Sequence, residues 1–174
     1  MADLWRRAAR IEQLIAKERW LEARALIQLF LEARPDDHFM LSRLALTHYE
    51  QRHYRRALSI ETRALALQPR CPMVLWGLAG AHHMLGHLDE ATRIYQRLIR
   101  RGAPRLARGE CGEGVRDARR LIADCWLRLG LIREAAERPR QAKAAYRKHL
   151  LVRVPCGSIY EARDARGRLA ALDG

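Results

Sequence analysis

The chain repeats itself, and that constrains its fold more than any motif it contains. Leu75, Leu78, Ala79, His82, Leu88, Ala91 and Leu98 fall on Leu41, Leu44, Ala45, His48, Tyr54, Ala57 and Ala64 when the sequence is moved back 34 residues. A second step of 34 carries Tyr54, Ala57 and Pro69 onto Trp20, Ala23 and Pro35. Going forward the step becomes 51, which is 34 plus an insertion of 17, and takes Leu75, Leu78, Ala91, Tyr95 and Pro104 to Trp126, Leu129, Ala142, Tyr146 and Pro155. Self-similarity at a fixed period of this size marks stacked repeats, in which one unit cannot bury its apolar face alone and neighbours complete the burial.

The pattern inside one unit predicts its structure. Leu75, Leu78, Ala79 and His82 stand at i, i+3, i+4 and i+7, as do Ala91, Ile94, Tyr95 and Leu98, so each half of the unit carries one helical stripe. Each unit is therefore expected to be a pair of helices. Pro72 suits a first helical turn, Gly86 the turn between helices and Asp89 the cap of the second helix. Asp3 is expected to cap the first helix, and Asp36 or Asp37 the third. The small Ala79 and Ala91 allow close approach, with Leu75, Leu78 and Tyr95 filling the seam.

On these residues the chain resembles the tetratricopeptide repeat (TPR) proteins. Trp126, Leu129 and Gly130 reproduce the W-x-x-L-G start, and Ala142, Tyr146 and Pro155 follow at nearly the family spacing. Leu75, Leu78, Ala79, Gly86, Ala91 and Tyr95 match in the third unit. Trp20, Ala23 and Pro35 carry the first unit's match, where Arg7 and Arg10 stand at positions the family fills with apolar residues. In the second unit Glu61 replaces the usual aromatic. The resemblance covers about residues 4 to 156 and implies an all-α, right-handed superhelical α-solenoid of four helix pairs with a C-terminal capping helix. Its expected layout is a single domain, with repeats at about 4–37, 38–71, 72–105 and 123–156, a glycine-rich insertion at 106–122 and the capping helix at 158–173. Ser158 with Glu161 reads as a capping box for that last helix.

The insertion has the densest glycines of the chain: Gly102, Gly109, Gly112 and Gly114, with Pro104. It reads as a loop that folds back on the array or covers a groove, with the helical pattern resuming from Val115. It is not a P-loop, since no Lys-Ser or Lys-Thr follows and no strand precedes it.

Composition narrows the class. No apolar run approaches the roughly 20 residues of a membrane span, and the first residues, with Trp5, Arg6 and Arg7 followed by Glu12, lack an apolar signal region. The expectation is a cytoplasmic protein. Cys71, Cys111, Cys125 and Cys156 are too far apart for a C-x-x-C site and read as free thiols. The formal charge is +13, and residues 97–153 hold 16 Lys and Arg against 6 Asp and Glu. Arg140, Lys143 and Arg147 share one helical face, a basic stripe that suits nucleic acid or an acidic partner.

No catalytic constellation emerges. Ser158 has no partnered His or Asp, and His83 with His87 is one helical turn apart but carries no metal motif. His48 and His82 share the repeat position that the family fills with tyrosine, so both read as core. Neither a cofactor nor a metal is expected, and the chain is not expected to be an enzyme.

In the TPR family the first helices of successive units line a concave surface that contacts peptides. The resemblance therefore implies a groove formed by Trp5 in the first unit, Phe39, Leu46 and Tyr49 in the second, Met73, Trp76 and His83 in the third, and Leu127 and Leu131 in the fourth. Ser42, Arg43 and Gly77 belong to the same register. This surface is largely aromatic and apolar, and lacks the Lys and Asn set by which chaperone-binding members hold a C-terminal carboxylate. The expected function is a noncatalytic scaffold that binds a protein segment. A second copy of the chain is an alternative occupant, and an anionic-surface binder or a self-assembling structural protein is an alternative function.

Overall fold

The computed structural model describes residues 2–109, 111–112, 114–153 and 160–173, without the side chains of 2–5. Among these residues the chain is all helical, with α1 Ala2–Ala16, α2 Trp20–Ala33, α3 His38–Glu50, α4 Tyr54–Leu67, α5 Pro72–Met84, α6 Leu88–Ala107, α7 Val115–Ala135, α8 Pro139–Val152 and α9 Ala162–Asp173. No helix among them is long and apolar enough to cross a membrane. The chain divides into two compact units, Met1–Gly86 and His87–Gly174.

In the first unit α1 packs on α2, α2 on α3, α3 on α4, and α5 on both α3 and α4. Ile11, Ile27, Phe30 and Met40 close the core where α1, α2 and α3 meet. In the second unit α6 packs on α7, α7 on α8 and α8 on α9. The alanines that recur in the sequence are the contact points: Ala23, Ala57, Ala91 and Ala142 have at most 1% of their surface exposed. A larger side chain there would separate the paired helices.

The turns repeat as faithfully as the helices. Glu18, Arg52, Gly86 and Glu137 take positive φ angles of 56°, 60°, 79° and 55°. They are separated by the same 34, 34 and 51 residues as the sequence pattern. At each, the left-handed residue donates its N–H to a carbonyl three back: Glu18 to Ile15, Arg52 to Tyr49, Gly86 to His83 and Glu137 to Glu134. At three of them the next N–H reaches five back, from Arg19 to Leu14, His53 to His48 and Arg138 to Arg133, each at 2.9 Å. This is a Schellman closure, and it favours glycine. Three of the four places lack it.

Capping follows the sequence only in part. Asp37 does cap α3, its carboxylate accepting from the Met40 N–H at 3.0 Å, and Pro72 does open α5. Asp3 lies inside α1, and α6 is capped by His87, with Asp89 displaced into the first turn. An acid in that first turn still favours the helix through its dipole. Ser158 lies outside the described residues, so the capping box stays an expectation.

The glycine-dense stretch is corrected at its start, where helix continues to Ala107; between Ala107 and Val115 the described residues lie outside helix, as the glycines predict. α6 kinks at Gly102, whose φ of 72° and ψ of 155° leave the helical region, and resumes through Pro104 to Ala107. Leu106, 1% exposed, anchors this resumed turn. The intervening glycines then turn the chain against α6 itself: the Gly112 N–H donates to the Gly109 carbonyl at 2.9 Å. A Cβ on Gly112 would lie 2.1 Å from the Ala107 carbonyl oxygen, so only glycine fits there. Gly114, φ 93°, starts α7, which is lengthened toward its N-terminus as the pattern from Val115 predicts. Gly109, Gly112 and Gly114 do mark a turn, and what they hid is the helix up to Ala107, which the buried Leu106 holds in place.

Candidate interaction surface

The first unit brings together most of the predicted groove. Phe39, Leu46 and Tyr49 lie on α3, and Met73, Trp76 and His83 on α5; all six are half-buried. Phe39 leans on the core of α1 to α3, and the Arg43 guanidinium sits 4.5 Å above its ring. Arg43 Nε in turn donates to Glu12 Oε1 at 2.7 Å, so a charged pair ties α3 to α1 beside the aromatic ring. Tyr49 meets the Tyr54 ring edge-on at 5.3 Å. Gly80 makes room for it on α5, where a Cβ would lie 3.4 Å from the Tyr49 ring. The side chain of Trp5 lies outside the described residues.

One groove position is corrected in the second unit. Leu127 is 3% exposed and belongs to a core with Ala142, Tyr146 and Ala165, against which Leu131, Leu169 and Leu172 pack. Helix α9 joins this core through Ala165, so Leu127 is closed to a partner, whereas Leu131 remains half-buried like the groove residues of the first unit. α9 also alters the basic stripe. Lys143 Nζ lies 2.6 Å from Asp173 Oδ1. The Lys143 hydrogen bond and charge, with Arg147 adding to them, draw the Asp173 carboxyl below its usual range. An acid contributed by the last helix therefore stands on a stripe that the sequence shows as purely basic.

The structure also places a polar group where the repeat pattern calls for an aromatic one. Glu61 of α4 is 2% exposed. Its Oε1 accepts from Ser42 Oγ of α3 at 2.9 Å, and it fills the space that Gly77 leaves on α5, where a Cβ would come within 2.1 Å of that oxygen. Oε2 has no hydrogen-bond partner. Burial raises the carboxyl to about 8, with the Ser42 bond and the Arg43 charge opposing it, so Glu61 is largely protonated at neutral pH. Ser42 and Gly77, which repeat register places on the groove, are taken up by this contact. Its sequence signal was an acid at the position held by Tyr95 and Tyr146.

His48 is buried, as its repeat position implies, and burial, Arg24, Arg56 and His53 lower its imidazole to about 4. Cys71, Cys111 and Cys125 are free thiols; burial raises Cys125 well above an ordinary thiol, which leaves it protonated and unreactive.

Comparisons place this arrangement among known proteins. Residues 42–106 match the model of a tetratricopeptide repeat family. None of the curated proteins matches the chain. Among solved structures, a crystal structure of MamA protein is 17% identical with a TM-score of 0.64, the match covering 99% of this chain and 88% of that one. TTC0263, described as a thermophilic TPR protein in Thermus thermophilus, is 21% identical with a TM-score of 0.54, over 97% of this chain and 98% of that one. A tetratricopeptide repeat protein from Parabacteroides merdae is 17% identical with a TM-score of 0.51, over 95% of this chain and 69% of that one. Such a fold serves generally as a scaffold for protein–protein interaction. The fold is that of the tetratricopeptide repeat proteins, and the family model itself matches residues 42–106 of the chain.

Proposed function

We propose that this protein is a noncatalytic, cytoplasmic interaction scaffold in which α3 and α5 of the first unit hold a segment of a partner protein. The observation that carries the reading is the repeat-related pairing of half-buried side chains on two packed first helices: Phe39 with Met73, and Tyr49 with His83, with Trp76 one turn beyond Met73. Large aromatic and apolar side chains that keep part of their surface in water are the residues on which binding energy concentrates. The flanking Arg43–Glu12 pair supplies a polar rim. The second unit contributes less to this reading, since Leu127 is buried in the core that α9 completes.

The test is affinity capture from the source cell's lysate with the wild-type chain and with Trp76→Ala, after circular dichroism establishes equal helicity. Loss of the captured protein with Trp76→Ala is the expected result. Equal capture by both chains would overturn the groove.

A further inference from the structure

A second feature of the first unit has no part in that groove. Four basic side chains from three helices converge where α3 turns into α4: Arg24 of α2, His48 of α3, and His53 and Arg56 at the start of α4. Arg24 is oriented from below. Its Nε donates to Thr47 Oγ1 at 3.3 Å and its Nη2 to the Thr47 carbonyl at 3.2 Å, with a further bond to the Gln51 side chain at 2.5 Å. The His48 and His53 rings are neighbours, with centroids 6.0 Å apart and planes tilted by 55°. Among the described residues no carboxylate pairs with any of the four.

Two further observations point to an anion. His48 is 7% exposed, and its Nδ1 is buried with no hydrogen-bond partner. α4 begins at the same place without an acid in its first turn, and its capping residue His53 makes no side-chain cap, so the N–H groups of its first turn have no acceptor from the cap. The start of this 14-residue helix, with N–H groups left over and a positive dipole end, is a natural partner for an oxyanion. Uncompensated like charges are costly at close range, and a dianion between them adds attractions that offset their repulsion.

We infer that Arg24, His48, His53, Arg56 and the first turn of α4 form a binding site for a phosphate group. His53 and Arg56 are exposed and receive the anion from solvent. Arg24, half-buried and held by Thr47 and Gln51 through Nε and Nη2, presents its remaining Nη1, and His48 is the buried member whose charge the anion stabilises. Mutual repulsion is visible in the chain itself: burial and then Arg56 lower Arg24, and burial, Arg24, Arg56 and His53 lower His48. The shared chemistry is the phosphoryl dianion, whether free or carried on a partner's side chain.

The experiment is a titration of the full chain with inorganic phosphate at constant ionic strength, followed by the imidazole NMR signals of His48 and His53, with chloride as the control and a phosphoserine tripeptide as a second arm. Saturable shifts of both rings with phosphate, and a rise in the His48 titration midpoint, are expected. Arg56→Gln, an exposed change that leaves the fold intact, should weaken binding about tenfold, the size of one charge-assisted contact. Tighter binding of the phosphoserine tripeptide than of free phosphate would assign the group to a partner's side chain; the reverse order would assign it to the free ion. Shifts that chloride reproduces, or phosphate binding unchanged in Arg56→Gln, would overturn the site.

Discussion

Glu61 in α4 and Tyr146 in α8 occupy one repeat position in two different units, and each lies over a glycine. Tyr146 is wholly buried, and a Cβ on Gly130 would come 2.3 Å from its ring. Its hydroxyl donates to Glu134, which also accepts from Arg168 of α9 at 3.1 Å. Burial, then the Glu134 bond and charge, push the phenol well above its usual value, so it remains a donor. Glu61 leaves one of its oxygens buried without a partner. The two side chains teach that spacer length decides the fate of a polar atom: an aromatic ring fills the seam and delivers its hydroxyl to the rim, whereas a two-carbon stem leaves the carboxyl inside, where desolvation favours the neutral form.

The comparison can be broken at the glycines. Gly130→Ala sets a methyl against a buried ring that has no alternative space, and should destabilise the second unit by about 2–3 kcal/mol in thermal or denaturant unfolding. Gly77→Ala meets only the far end of a flexible carboxyl and should cost about 1 kcal/mol or less. Equal losses would mean that Glu61 is held as rigidly as Tyr146.

The carboxyl itself makes the two units respond differently to pH. Because Glu61 is raised in the folded chain, its stabilising neutral form is fully present below the unfolded value near 4.5 and is lost as pH rises through about 8. Wild-type stability should fall over that interval, whereas Glu61→Gln, which keeps the Ser42 contact and cannot ionise, should flatten the curve and exceed wild type above pH 8. Parallel curves for the two chains would show that Glu61 ionises freely in the fold. His48 acts at the other end, being lowered to about 4, so its contribution is present above 6.5 and is lost as pH falls through about 4.

The smallest effect concerns what the units share. Arg52 and Glu137 hold left-handed backbones that Gly86 adopts without a Cβ penalty. Arg52→Gly or Glu137→Gly should each stabilise by about 0.5–1 kcal/mol, the left-handed cost less the entropy glycine brings to the unfolded chain. A loss of stability would mean that the side chain does more for its turn than its φ angle costs.

Much of this architecture was legible in the residues. The 34-residue step located the helix pairs, the recurring alanines located the tight contacts, and an acid at Glu61 marked the odd packing in the second repeat. Other features were not. Gly102 and Pro104 suggested that the loop begins there, yet helix returns through Pro104 to Ala107 because Leu106 is buried. Leu127 stood at a groove position by register, yet it is buried in the core that α9 completes. The stripe of Arg140, Lys143 and Arg147 had no acid in its own helix, yet Asp173 reaches Lys143 from another.

By itself the sequence determined the repeat period, the helix pairs, the turn positions and the family resemblance, because those rest on spacings within about 34 residues and on side-chain sizes that act locally. Only the tertiary structure decided which apolar positions stay open, which cations are answered by an acid and which are left to one another, and where a carboxyl is sealed off from water. These depend on which face of one helix another covers, and burial and charge pairing are properties of that packing rather than of any one helix.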